Sequence, residues 1–225
     1  MPPDANRTSR KRVFLVDDHP LVREWLTNLI HQQPDLQVCG EAESAPQARQ
    51  AIALLRPAVA IVDLSLKDSS GIELIKDLHE TCPEVAVLVL SMHDESLYAE
   101  RALRAGAMGY IMKRETTGKV IAAIRQVLAG KPCVSESVAA AITSRFVGRK
   151  ATPAGSPVEQ LSDRELTVFE LLGRGRGTRQ IAETLRVSVK TVQTYCARIK
   201  EKLNLGSATE LLREAMRWHE DKHSR

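Results

Sequence analysis

The chain has 225 residues, enough for one large domain or two small ones, and its 43 % hydrophobic and 27 % charged content excludes wholesale disorder and collagen-like repeats. No apolar run approaches the ~20 residues of a membrane span, and the first twelve residues lack the apolar stretch of a secretory signal, so a cytoplasmic protein with no membrane partner is expected. The net charge is only +4, and the cysteines (Cys39, Cys82, Cys133, Cys196) lie 43, 51 and 63 positions apart, without the close pairs of a zinc clamp or disulfide framework.

From Lys11 to Gly130 short apolar runs alternate with stretches of helical period. Val13–Val16, Val59–Val62, Val85–Leu90 and Tyr110–Met112 read as buried strands, with Gln37–Glu41 as a weaker one in second place. Between them, Leu21, Val22, Trp25, Leu26, Leu29 and Ile30 repeat at helical spacing after Pro20, and Ala48–Leu55, Ile72–Leu78, Leu97–Leu103 and Val120–Leu128 behave likewise. Five strands and five helices in about 120 residues predict one α/β domain with a doubly wound five-stranded parallel sheet, assigned to residues 11–130.

Ser135–Phe146 reads as a helix that runs into a Gly- and Pro-rich tract over Gly148–Pro157, so residues 131–157 are assigned to a linker helix and flexible linker. Asp163–Leu172, Thr178–Leu185, Val189–Leu203 and Ser207–Trp218 are then all helical in period, a small all-α domain over residues 158–220. Ser162 with Glu165 forms a capping-box pattern, Thr178 is expected to cap the next helix and Ser188 the one after, and the short joint Arg186–Ser188 makes two helices cross sharply. Arg164–Lys202 holds nine basic and four acidic residues, a balance that suits a polyanion.

Open α/β sheets place ligands outside the carboxyl ends of their strands. Those ends carry Asp17 and Asp18, Asp63, Ser91 and Lys113. Three carboxylates that repel one another are relieved by a hard divalent cation such as Mg²⁺. Phosphoryl transfer to a carboxylate needs a nucleophile, a metal that neutralises charge and donors for the phosphoryl oxygens, and Asp63 fits the first part.

These residues, Val16-Asp-Asp-His-Pro20, Asp63, Leu90-Ser91 and Gly109-Tyr-Ile-Met-Lys113, resemble the receiver domain of bacterial two-component response regulators, with spacings of 45, 28 and 22 residues from Asp18 through Asp63 and Ser91 to Lys113. The resemblance implies that Asp63 accepts phosphate from a sensor histidine kinase. It further implies that Asp17, Asp18, Asp63 and the Ser65 main-chain carbonyl hold Mg²⁺, that Ser91 and Lys113 bind phosphoryl oxygens, and that Tyr110 is an aromatic switch that rotates inward. His19 is placed beside the pocket.

Leu161-Ser-Asp-Arg-Glu165, Gln180-Ile-Ala182, Val187-Ser188, Thr191-Val192 and Lys202-Leu203 likewise resemble the LuxR-type helix-turn-helix, and the whole chain resembles a NarL/FixJ-family regulator. Tyr195, where His is frequent, and the Gly173–Gly177 turn depart from the pattern. With Val192, Ile199 and Leu203 inward, Gln193, Thr194 and Ala197 face the major groove and Lys190 and Arg198 lie near its edges. By resemblance, Lys190, Thr191, Thr178 and Arg179 grip phosphates.

The implied partners are a sensor histidine kinase, double-stranded promoter DNA, RNA polymerase and, when phosphorylated, a second copy of the chain joined through Leu211, Leu212, Ala215 and Trp218. The implied mechanism has the unphosphorylated receiver cover part of the recognition helix. Two other readings stand beside this non-enzymatic one: a receiver that serves as a phosphate-independent dimerisation module, and an aspartyl-phosphate hydrolase, whose usual Asp-x-Asp is not matched by Asp63-Leu-Ser65.

Overall fold

The computed structural model describes residues 10–66, 69–147 and 157–223. Contacts divide the chain into two compact units, one ending at Val147 and the other made of the residues that follow. The tract expected as a flexible linker lies outside the described residues except for Pro157.

The first unit runs β1 (Lys11–Val16), α1 (Pro20–His31), β2 (Leu36–Ala42), α2 (Ala45–Leu55), β3 (Val59–Val62), β4 (Ser65–Leu66), β5 (Ser69–Ser70), α3 (Gly71–Thr81), β6 (Ala86–Ser91), α4 (Glu95–Arg104), β7 (Gly109–Met112), α5 (Thr117–Leu128) and α6 (Glu136–Val147). Five strands form one parallel sheet in the order β2-β1-β3-β6-β7. All five therefore end at the same edge, which is what collects the polar strand ends into one place.

Val13, Leu15, Val59, Ile61, Leu88 and Leu90 pack with Leu26 and Ile30 of α1 and Val120, Ile124 and Val127 of α5 in one cluster. Each such buried side chain contributes ~1.5–3 kcal/mol relative to exposure, a rigid base for the residues just beyond it. Phe14 points to the other face of β1, towards Leu55 of α2 across Gly40, where an added Cβ would lie 2.7 Å from the Phe14 ring. Leu21, counted in the apolar repeat of α1, is 79 % exposed. It sits roughly 100° round the helix from Val22, off the buried face.

The short antiparallel pair β4–β5 follows β3 directly and was not expected, since two residues per strand leave no periodic signal. It returns the chain so tightly that the Gly71 N–H donates to the Leu64 carbonyl at 3.0 Å. A Cβ at Gly71 would lie 2.2 Å from the main-chain oxygen of Asp63.

The second unit has a short 3₁₀ turn at Pro157–Gln160 and then α7 (Asp163–Gly173), α8 (Thr178–Leu185), α9 (Val189–Lys202) and α10 (Ala208–His223). Ser162 and Glu165 close the capping box on α7, with Ser162 N–H donating to Glu165 Oε2 at 2.7 Å. Ser188 caps α9, accepting from Thr191 N–H at 3.0 Å. Thr178 is not a cap: Gly177 holds that position, and Gln180 Oε1 accepts from the Gly177 N–H at 3.1 Å. The glycine reaches the extended cap conformation freely and the side chain three residues on supplies the missing acceptor. Arg186, in the left-handed region at φ 52°, turns the chain from α8 into α9.

The apolar positions read on α10 divide between two directions. Leu211 and Ala215 are buried within the unit, and the Trp218 ring packs at a tilt against Phe169 of α7, 5.6 Å between centroids. Leu212 is exposed, together with Met216. Three of the four residues assigned to joining two copies thus serve the unit's own core.

Candidate functional site

The ends of β1, β3, β6 and β7 bring Asp17, Asp18, Asp63, Ser91 and Lys113 to one edge. The loops are tied there by main-chain bonds from Asp17 N–H to Ala42 O (3.1 Å), Asp63 N–H to Val16 O (2.9 Å) and Lys113 N–H to Ser91 O (2.8 Å). Asp17, Asp63 and Ser91 are buried. Lys113, which a strand-end reading alone would leave in solvent, has a side chain only 8 % exposed and bridges Asp17 Oδ2 at 2.6 Å and Asp63 Oδ2 at 2.7 Å. Among the described residues Asp63 Oδ1, also buried, has no hydrogen-bond partner.

Burial raises the Asp63 carboxyl above its ordinary range and Asp17 adds to this, while Lys113 and the Ser91 hydroxyl work the other way without cancelling it. For Lys113, burial works against the charge but is outweighed by Asp63 and Asp17, so the ammonium is held above its ordinary value. When all are ionised, three carboxylates and one ammonium leave two negative charges uncompensated. Asp17, Asp18, His19 and Asp63 each offer a ligand atom, all within 4.8 Å of one another, so the pocket could hold a divalent metal ion.

Several participants were not legible in the sequence. His19 is not merely beside the pocket: its Nδ1 lies 2.7 Å from Asp18 Oδ1 and 3.1 Å from Asp17 Oδ1. Arg23, one turn into α1, donates to the Asp17 carbonyl at 2.6 Å while its Nε lies 3.3 Å from Glu41. His93 joins three neighbours, with its N–H donating to Ser91 Oγ at 3.3 Å, its Nε2 bonded to Ser65 Oγ at 2.8 Å and its carbonyl accepting from the Tyr110 hydroxyl at 2.8 Å. Tyr110 is therefore inward and buried here. The Ser65 side chain is turned to His93.

In the second unit, α9 buries Val192 and Ile199, and leaves Leu203 half-buried. Gln193, Thr194, Ala197 and Arg198 are exposed, as are Lys190 and Arg179, while Thr178 and Thr191 are half-buried. The Thr194 hydroxyl donates back to the Lys190 carbonyl at 3.0 Å and Thr191 Oγ1 pairs with Ser188 Oγ at 2.8 Å, so both hydroxyls are engaged locally. Gln193 and Ala197 also border a hollow of about 230 Å³ shared with Cys196, Lys200, Leu211 and Leu212. Glu165, buried, pairs with Lys202 at 2.6 Å, which ties the start of α7 to the end of α9. Among the described residues no helix is long and apolar enough to cross a membrane.

Residues 13–125 match the family described as "Response regulator receiver domain", and residues 159–215 the "Bacterial regulatory proteins, luxR family". The chain is 34 % identical over 210 residues to the oxygen regulatory protein NreC of Staphylococcus carnosus, covering 92 % of this chain and 97 % of that one. It is 35 % identical over 199 residues to the DNA-binding transcriptional activator DevR/DosR of Mycobacterium tuberculosis, covering 88 % and 91 %. Among solved structures it is similar to RcsB from Salmonella enterica serovar Typhimurium, bound to promoter rprA in the presence of phosphomimetic BeF₃⁻, at 25 % identity and a TM-score of 0.58 over 91 % of this chain and 97 % of that one.

Proposed function

The chain belongs to the DNA-binding two-component response regulators that join a receiver domain to a LuxR-type helix-turn-helix, and from that premise we propose that Asp63 is its phosphoacceptor and Mg²⁺ its cofactor. The observation that carries this reading is the asymmetry at Asp63, whose Oδ2 is held by Lys113 while the buried Oδ1 has no hydrogen-bond partner among the described residues. Oδ1 is the nucleophile. It bonds to phosphorus as the P–N bond of a kinase phosphohistidine breaks, and the electron pair leaves with the imidazole nitrogen, which takes up a proton from solvent.

Asp17, Asp18, Asp63 and the Ser65 carbonyl would hold Mg²⁺, which when bound would neutralise phosphoryl charge. Lys113 and Ser91 bind the remaining phosphoryl oxygens. Movement of Ser91 is passed to Tyr110 through His93, whose N–H and carbonyl touch each of them. The repacked face raises DNA affinity and favours a dimer.

On α9, Gln193, Thr194 and Ala197 read base edges, with Lys190, Thr191, Arg198, Thr178 and Arg179 on phosphates. The receiver spans residues 11–130, the linker 131–157 and the DNA-binding domain 158–220. The protein acts in the cytoplasm on promoters, with RNA polymerase as a further partner. A hydrolase reading has no support at Ser65, where the second acid would stand.

The test is mass spectrometry of the full chain after treatment with acetyl phosphate and Mg²⁺, with DNA affinity measured in parallel. One acid-labile phosphate and tighter DNA binding are expected. A receiver that dimerises and binds DNA equally well without phosphate would replace this reading with that of a phosphate-independent dimerisation module.

A further inference from the structure

His19 stands between two of the three acids of the pocket. The sequence fixes its place: Pro20 disfavours the helical region for the residue before it, and His19 is extended at φ −96° and ψ 109°. Its N–H donates to Asp17 Oδ1 at 2.9 Å, and its Nδ1 lies 2.7 Å from Asp18 Oδ1 and 3.1 Å from Asp17 Oδ1. Neighbouring donors on an octahedral ion with ~2.1 Å bonds are ~3.0 Å apart and opposite donors ~4.2 Å. The four candidate ligand atoms of Asp17, Asp18, His19 and Asp63 lie within 4.8 Å of one another, slightly wider than the span of such a shell. Apart from that spacing, Lys113 engages the Oδ2 atoms of Asp17 and Asp63, while Asp63 Oδ1 is buried and without a hydrogen-bond partner among the described residues.

We propose that His19 Nδ1 is a nitrogen ligand in this pocket, so that the site accepts a divalent transition ion such as Mn²⁺ or Co²⁺ and holds it more tightly than Mg²⁺. The proposal rests on the reading of Asp17, Asp18, Asp63 and the Ser65 carbonyl as cation ligands and adds His19 to them as a fifth. Mg²⁺ is hard, keeps its waters and gains little from imidazole, whereas transition ions take imidazole readily. Ligation uses the neutral ring with its proton on Nε2. With the His19 side chain 54 % exposed, that proton is hydrated at little cost, and the imidazole–aspartate contacts give way to bonds to the ion. Arg23, which grips the Asp17 carbonyl, keeps the loop in place during the exchange.

The experiment is Mn²⁺, Co²⁺ and Mg²⁺ titration of the full chain by calorimetry, together with pulsed EPR of the Mn²⁺ form. Wild type is expected to show the ¹⁴N modulation of a coordinated imidazole, and His19→Ala to lose it. In His19→Ala the affinity for Mn²⁺ and Co²⁺ should fall on the order of 10-fold, while that for Mg²⁺ stays within about twofold and so reports an intact pocket. Mn²⁺ bound without ¹⁴N modulation overturns the proposal and leaves the cation reading of the three acids standing, as does an equal loss of all three ions in His19→Ala. A wild-type chain that binds none of the ions overturns both.

Discussion

Asp63 in the receiver and Glu165 in the helical domain look alike by exposed surface, each being 3 % exposed, and each has a lysine within 2.7 Å. Their carboxyls are nevertheless shifted in opposite directions. Burial raises Asp63, and its lysine is shared with Asp17, so the compensation is incomplete. Burial also works to raise Glu165, but Lys202 and Ser162 outweigh it and hold the carboxyl below its usual range. What separates them is first depth, since Asp63 is enclosed far more deeply than Glu165, and then the second carboxylate that shares its lysine. A neutralised acid serves stability, while an acid left short of positive charge is prepared for an incoming cation and phosphoryl group.

The largest expected difference is functional. Asp63→Asn, nearly isosteric but unable to form an acyl phosphate, should abolish acid-labile phosphate while preserving the fold, and wild-type incorporation by mass spectrometry would reassign the nucleophile. Glu165→Gln should leave phosphorylation intact and destabilise only the helical domain. Lys202 is 38 % exposed, so screening trims the value of a charged hydrogen bond to about 1–2 kcal/mol. Trp25 lies in α1 and Trp218 in α10, and they are the only tryptophans, so Trp25→Phe and Trp218→Phe variants report the two unfolding transitions separately.

Acid should separate the domains further. Glu165, with a depressed folded pKa, contributes stability that is present above its unfolded value and is lost as pH falls through the lower folded value. Asp63, with a raised folded pKa, costs stability when ionised, and that cost disappears as pH falls through its folded value. In cation-free protein the Trp218 transition should therefore lose ground to the Trp25 transition on acidification, and parallel shifts would dissolve the comparison. The most local effects belong to the outer face of α9. Gln193→Ala should cost ~1–3 kcal/mol at one base position, whereas Lys190→Ala should weaken all sites alike and reduce the salt slope by roughly one unit. Binding titrations on a panel of single-base variants at several salt concentrations distinguish the two.

The sheet and its polar edge were legible because buried parallel strands are continuous apolar runs, so Asp17, Asp63 and Lys113 stand out where the runs stop. Pairings across the fold were not. Lys202 meets Glu165 from 37 positions away and His93 meets Ser65 from 28, and nothing in local period encodes either contact. Thr178 has the residue type of a cap, yet Gly177 fills the position with help from Gln180. On α10 the spacing identified an apolar stripe but not its direction, which is set by Phe169 and Gly173 on α7.

Gly71 carries no functional group, yet its Cα is packed so closely against the backbone of Asp63 that even a methyl group would overlap the carbonyl oxygen at 2.2 Å. Any replacement must displace the main chain that carries Asp63 and Leu64. For anyone interpreting natural variants of this chain, Gly71→Ala belongs with the damaging changes rather than the conservative ones.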